Sequence, residues 1–136
     1  SATLSYVDLD GDGGSAPVIS VDSLESNTVY TGSLTLLNEI DSPAEDITAE
    51  IFDEADDHQF FFSSTGASVF TYNDQDSDGN PVGLEFELTT ASSGTENYSI
   101  ILRHEPVKTA AGVSEGDITN AGGETDIEVV FEVVIK

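Results

Sequence analysis

The chain of 136 residues has no cysteine, methionine or tryptophan, and only three of its residues are Lys or Arg. Without cysteine it can form neither disulfide bonds nor thiolate metal sites. No apolar stretch is long enough to cross a bilayer as a helix, so we expect no transmembrane segment. So few cations cannot form the basic patch that binds phosphates, and we expect no nucleic acid among the partners.

Acidic side chains dominate instead, since 27 Asp and Glu residues give a formal net charge of −24. Such a surface attracts cations, and it also keeps a protein soluble where salt screens self-repulsion. Adaptation to a saline habitat and a function in binding cations both stay open as explanations. Hydrophobic residues make up 38% of the chain, which is typical of a folded protein, and we predict a single domain over residues 1–136.

Apolar and polar residues alternate along most of the chain, as they do in half-buried strands. The clearest case is the last segment, 125–136, where every second residue from Ile127 to Ile135 is apolar. The other alternating segments are 2–8, 18–21, 28–37, 59–64, 68–73, 83–90 and 97–105. We predict an all-β fold, an antiparallel, Greek-key-like β-sandwich of about eight strands.

One segment has helical periodicity, and we predict a single α-helix over about residues 43–57. Ser42 can cap its N-terminus, Pro43 suits the first turn, and Glu45 completes a capping box. The expected apolar stripe is Ile47, Ile51 and Ala55. The acidic residues of its last turn oppose the negative end of the helix dipole, so we expect a cation near that end.

Residues 73–85, NDQDSDGNPVGLE, reproduce the spacing of an EF-hand calcium loop, D-x-D-x-D-G-x5-E. The flanking segments read as strands rather than helices, so we predict a turn between two paired strands. A calcium site and a polar hairpin turn both fit this composition. The calcium candidates are Asp74, Asp76, Asp78, Asn80 and Glu85.

A second segment, DLDGDGG at 8–14, matches the first half of the same pattern. The glutamate that would end the loop is missing, so another carboxylate would have to come from elsewhere in the fold. The calcium candidates in this segment are Asp8, Asp10 and Asp12.

The two histidines each have acid close by in the sequence. His58 follows the predicted helix one turn after Glu54, and His104 precedes Glu105 near the end of a predicted strand. Imidazole together with carboxylate suits zinc or copper. We predict that both histidines converge on one ion, with Glu54 and Glu105 as further ligands. The alternative is that each histidine is a capping or surface residue.

Several segments together resemble a family of small exported lipoproteins of marine and soil Bacteroidetes. The most distinctive are DHQFFF and LRHEPVK, which contain both histidines, together with SPAEDITAEI, NDQDSDGNPVGL and GDITNAGGETDIEVVFEV. Members of this family are often labelled type 1 periplasmic-binding-fold proteins. That label requires alternating strands and helices, which this sequence does not have. The resemblance implies an outer-membrane lipoprotein that works beside a TonB-dependent receptor in uptake.

We therefore predict an exported, non-enzymatic, metal-binding surface protein that assists TonB-dependent uptake, with its export signal and lipid anchor upstream of residue 1. No G-x-S-x-G nucleophile motif is present, and the sequence places no serine beside a histidine. The alternative prediction is a structural or adhesive cell-surface module in which calcium stiffens the loops.

Overall fold

The computed structural model describes residues 2–7, 18–38 and 45–136, and within these ranges strands dominate. The strands are β1 Leu4–Val7, β2 Val18–Val21, β3 Val29–Ser33, β4 Leu37–Asn38, β5 Glu45–Asp46, β6 His58–Ser64, β7 Val69–Tyr72, β8 Glu85–Thr89, β9 Gly94–His104 and β10 Glu124–Ile135. The described residues contain one α-helix, α1 Ile47–Asp53, and single turns of 3₁₀ helix at Ala55–Asp57, Val113–Glu115 and Ile118–Asn120. The predicted all-β fold is confirmed.

Two three-stranded antiparallel sheets form the sandwich, one in the order β10–β9–β6 and the other in the order β3–β8–β7. Their inner faces meet in one core, where Phe62 of the first sheet stacks on Phe70 of the second, and Phe70 meets Tyr98 edge-on. Burial of this apolar surface is the main favourable term in folding. The other buried strand residues of this core are Phe60, Leu88, Ile100, Leu102, Phe131 and Val133.

The glycine-rich segment after β9 packs over the opposite face of the β10–β9–β6 sheet. Val113 and Ala121 from this segment form a second buried cluster with Phe61 of β6. The amide of Gln59 also donates a hydrogen bond to the carbonyl of Val113, at 2.8 Å. Both faces of β6 are therefore covered, and its first four residues are all buried, which a strand with one solvated face does not show.

The helix begins later than the predicted residue 43. Glu45–Asp46 pairs with Leu37–Asn38 as a short antiparallel ladder, so Glu45 lies in a strand before the helix and not within its first turn, where the predicted capping box requires it. Instead, the backbone N–H of Ile47 donates to the carbonyl of Leu36 at 3.0 Å. A tertiary hydrogen bond thus takes the place of the local cap. The other proposed capping residues, Ser42 and Pro43, lie outside the described residues.

The helix also ends earlier than the predicted residue 57, because its acidic end continues as the 3₁₀ turn Ala55–Asp57. Nζ of Lys108 donates to the carbonyl of Ala55 at 2.8 Å, so an ammonium group lies at this end of the helix. The apolar stripe, Ile47, Ile51 and Ala55, packs against the core as predicted. None of the helices in the described ranges has the length and apolar character needed to cross a membrane.

We predict that Phe60→Ala lowers the free energy of unfolding by about 3–5 kcal/mol, because it removes a ring that is 1% exposed in the core. Phe52→Ala is the matched control, since that ring is 71% exposed on α1, and its effect should stay within about 0.5 kcal/mol. Urea denaturation followed by circular dichroism measures both. Equal losses in the two variants would contradict the described core.

Candidate metal centre

The two histidines face each other across neighbouring strands. His58 is the first residue of β6 and His104 the last of β9, and the antiparallel register makes them direct partners. Nε2 of His58 and Nδ1 of His104 are 3.1 Å apart, and the ring centroids are separated by 4.9 Å. The structure therefore brings together two residues that are 46 positions apart in the sequence.

A third donor comes from β10. Oδ2 of Asp126 lies 3.9 Å from Nε2 of His58 and 3.8 Å from Nδ1 of His104. Asp126 is the extra residue of a β-bulge, because the pairing of β10 with β9 shifts between Thr125 and Ile127. A bulge redirects a side chain relative to regular alternation. The sequence carries no clear signal for this bulge, so Asp126 was not among the predicted ligands.

Gly123 allows the chain to return close to His104 before β10 begins. Its φ of +72° is a conformation that side chains other than glycine rarely adopt, and a Cβ there would collide with the carbonyl oxygen of His104. This close approach places the start of β10 beside the histidine pair.

The second partner of each ring determines which nitrogen can bind a cation. Nδ1 of His58 lies 3.0 Å from the carbonyl oxygen of Glu54, which can only accept, so this nitrogen carries the proton and Nε2 carries the lone pair. Nε2 of His104 lies 3.7 Å from Oε1 of Glu105. With Nε2 of His58 as the acceptor, Nδ1 of His104 donates to it at 3.1 Å. An ion bound between the two rings would replace this proton, and His104 would then carry its proton on Nε2, toward Glu105. Such outer contacts are typical of metal-binding histidines.

The three donor atoms fit around one small ion. The point equidistant from Nε2 of His58, Nδ1 of His104 and Oδ2 of Asp126 lies about 2.1 Å from each, within the roughly 2.0–2.2 Å of zinc–nitrogen and zinc–oxygen bonds. The His58 side chain is 7% exposed, whereas those of His104 and Asp126 are 37% and 42% exposed. The site is therefore anchored on its inner side and reachable from solvent on its outer side.

A cleft of about 250 Å³ adjoins the three donors. Its apolar wall comes from α1 and from the inner face of the β10–β9–β6 sheet, and Glu50 of α1 contributes to its lining. The predicted ligand Glu54 lines this cleft, and its backbone carbonyl holds His58. The lining residues are Ile47, Glu50, Ile51, Glu54, His58, Leu102, His104, Asp126 and Ile127.

The calcium-like segment 73–85 connects the paired strands β7 and β8, as predicted for a turn. Its carboxylates accept hydrogen bonds from their own loop. Asp74 accepts from the backbone N–H of Gly83 at 2.7 Å, and Oδ1 of Asp76 accepts from the N–H groups of Asp78 and Asn80 at 2.9 Å each. These Asx-type contacts explain why acidic residues occur at this spacing.

A lysine occupies the centre of this loop. Nζ of the buried Lys108 donates to Oδ2 of Asp76 at 2.8 Å and to the carbonyls of Ala55 and Pro81 at 2.8 and 3.0 Å, which uses all three of its protons. Three carboxylates lie close together here, those of Asp56, Asp76 and Asp78.

Glu85, the predicted twelfth ligand, is exposed at the start of β8, and its N–H donates to Asp74 at 3.1 Å. The other calcium candidates, Asp8, Asp10 and Asp12, lie outside the described residues.

The lysine also controls the ionisation of its partner. Burial raises the pKa of Asp76, but the hydrogen bond from Lys108, the backbone N–H groups of Asn80 and Asp78 and the charge of Lys108 outweigh it, so the pKa lies below its ordinary value. The carboxylate is therefore held in its charged form.

We predict that millimolar calcium leaves the melting temperature of the native protein unchanged, because the ammonium of Lys108 already pairs with Asp76, the buried carboxylate of this loop. Lys108→Met should lower the free energy of unfolding by about 3–5 kcal/mol, since it leaves a buried carboxylate unpaired. Calcium should then restore part of the loss, because a ligand of the native state alone stabilises it. Thermal melting with and without calcium measures this, with Lys136→Met, at an exposed residue, as control. A calcium-induced rise in the unmodified protein would contradict the assignment.

We also predict that acid removes the stability that Asp76 contributes. Because the folded-state pKa of Asp76 is lowered from 3.8, its contribution to stability is present above that pH and is lost as the pH falls through the folded-state value. Asp76→Asn should therefore destabilise the protein at neutral pH, and its difference from the native protein should shrink below about pH 4. Urea denaturation at a series of pH values measures the difference. A difference that is constant with pH would refute the prediction.

Comparison with protein-family models, with curated proteins and with solved structures finds no match for this chain. The lipoprotein family suggested by the sequence stays a prediction.

Proposed function

We propose that this protein binds a divalent transition-metal ion, zinc or copper, through His58, His104 and Asp126. The observation that supports this most directly is the triangle of donor atoms, with sides of 3.1, 3.8 and 3.9 Å. The donors come from three strands, and the buried ring is held by the Glu54 carbonyl in the tautomer that binds a metal.

The chemistry of the donors favours these metals over calcium. Imidazole nitrogen is a ligand for zinc, copper, iron and nickel, whereas calcium takes six to eight oxygen atoms. Two nitrogens and one carboxylate oxygen form a small, mixed set that leaves at least one position for water or another ligand. The alternative function, a module stiffened by calcium, is less favoured because the ammonium of Lys108 contacts Asp76 in the acidic loop that would bind the ion.

For the cellular role, we propose capture of the metal at the bacterial surface by an exported, lipid-anchored, non-enzymatic protein that assists a TonB-dependent receptor. The family resemblance of the sequence supports the location and the receptor. The net charge of −24 supports capture, because a strongly acidic surface raises the local concentration of cations.

The test is metal analysis of protein purified without chelator, followed by titration of the metal-free protein with zinc and copper in calorimetry. The titration should contain physiological salt and excess magnesium, because an acidic surface also binds divalent ions weakly and without geometry. One ion should bind per chain. Loss of a direct ligand in His58→Ala/His104→Ala or in Asp126→Asn should weaken binding by more than the roughly 10–100-fold typical of an outer contact.

Glu132→Gln is the matched control, because it removes one exposed carboxylate from β10 without touching the site. Its zinc affinity should equal that of the native protein. Unchanged affinity in the double histidine variant would refute the proposed site, as would equal losses in Asp126→Asn and Glu132→Gln.

A further inference from the structure

Resting on the proposed metal site, we infer that the bound ion keeps a coordination position open to the adjoining cleft and binds there a small, uncharged nitrogen ligand with an apolar substituent, such as an alkylimidazole. Three features support this: the position of the cleft, its size and the chemistry of its lining.

The cleft and the donor set share residues. His58, His104 and Asp126 all line it, so a ligand atom bound to the ion from this side would lie inside the cleft. The partly exposed side chains of His104 and Asp126 leave the approach to the ion open. A three-ligand site with an open position is the arrangement in which zinc accepts a further ligand.

The size of the cleft limits the ligand. Its volume of about 250 Å³ lies below the roughly 300–1,000 Å³ of pockets that enclose drug-sized molecules. A fragment with one ring or a short branched chain fits that space, whereas a larger molecule would extend into solvent.

The lining defines the chemistry of the ligand. Ile47 and Ile127 are partly buried and provide the accessible apolar surface of the wall. Ile51 and Leu102, which are 3% and 2% exposed, form the packed core behind it. A ligand that presents only polar groups would leave this surface without a partner.

The charges around the cleft disfavour anions. Glu50 of α1 and Glu54, the residue after its end, line the cleft, Glu105 lies beyond His104, and the whole chain carries −24. A carboxylate or phosphate ligand would gain from the metal but would be repelled by these groups at close range. A neutral nitrogen donor avoids that repulsion, and the ion accepts imidazole readily.

The experiment uses protein saturated with cobalt(II), whose visible absorption reports the ligands around the ion. After the cobalt affinity of each variant has been measured, the protein is titrated with 4-methylimidazole and, separately, with isobutyrate, an anion of similar size. We expect a saturable spectral change with 4-methylimidazole and at least tenfold weaker binding of isobutyrate. Elemental analysis after the titration must show that cobalt is retained.

Two variants test the cleft itself. Ile47→Phe should weaken binding of 4-methylimidazole at least tenfold by filling the cleft, whereas Val69→Phe, on exposed surface of β7, should leave it unchanged. Glu50→Gln should strengthen isobutyrate binding several-fold by removing one negative charge.

The outcomes separate the two proposals. Absence of stoichiometric cobalt binding overturns the metal site. Stoichiometric cobalt with no spectral response to 4-methylimidazole, or with cobalt released by it, overturns only the present inference. Equal affinity for both probes, or no effect of Ile47→Phe, also overturns it, because either result shows that the cleft does not select the ligand.

Discussion

The pairing of β6 with β9 is the interaction on which most of the structure depends. Its register sets Phe60 opposite Leu102 and Phe62 opposite Ile100, which places both phenylalanines on the face that meets the other sheet. The same register sets His58 opposite His104. Because side chains alternate with period two, a slip of one residue would move the aromatic core to the wrong face and separate the histidines. The packing of the core therefore determines where the two histidines lie, and it holds this polar site in one arrangement.

Because positive charge is scarce, a single basic residue can determine the local structure. Lys108 is buried within a protein that has 27 acidic side chains, and it connects the acidic loop to the end of α1. That connection fixes the 3₁₀ turn Ala55–Asp57, which leads directly into His58. The cation expected near the acidic helix end is thus supplied by the chain itself, and the same ammonium group satisfies the loop that resembles a calcium site.

The strands and their inward faces could be predicted from the sequence because burial follows alternation, as the segment from Ile127 to Ile135 illustrates. The helix bounds could not, because the pairing of Glu45–Asp46 with Leu37–Asn38 is a tertiary interaction that overrides a local capping motif. Histidine beside acid indicated two of the three donors of the candidate site. Asp126 could not be predicted as a donor because a β-bulge depends on the partner strand. The pairing of Lys108 with Asp76 could not be predicted because the two residues are distant in the sequence.

The three donors lie at the ends of segments that are far apart in the sequence, with 46 positions between the two histidines alone. An ion shared by them would act as a removable cross-link that closes long chain loops, and its binding free energy would add to the stability of the fold. The unfolded chain, in contrast, would bind the ion weakly. The rate at which proteases degrade this protein would then vary inversely with the supply of metal, so the abundance of the protein could follow the availability of its ligand without any change in synthesis.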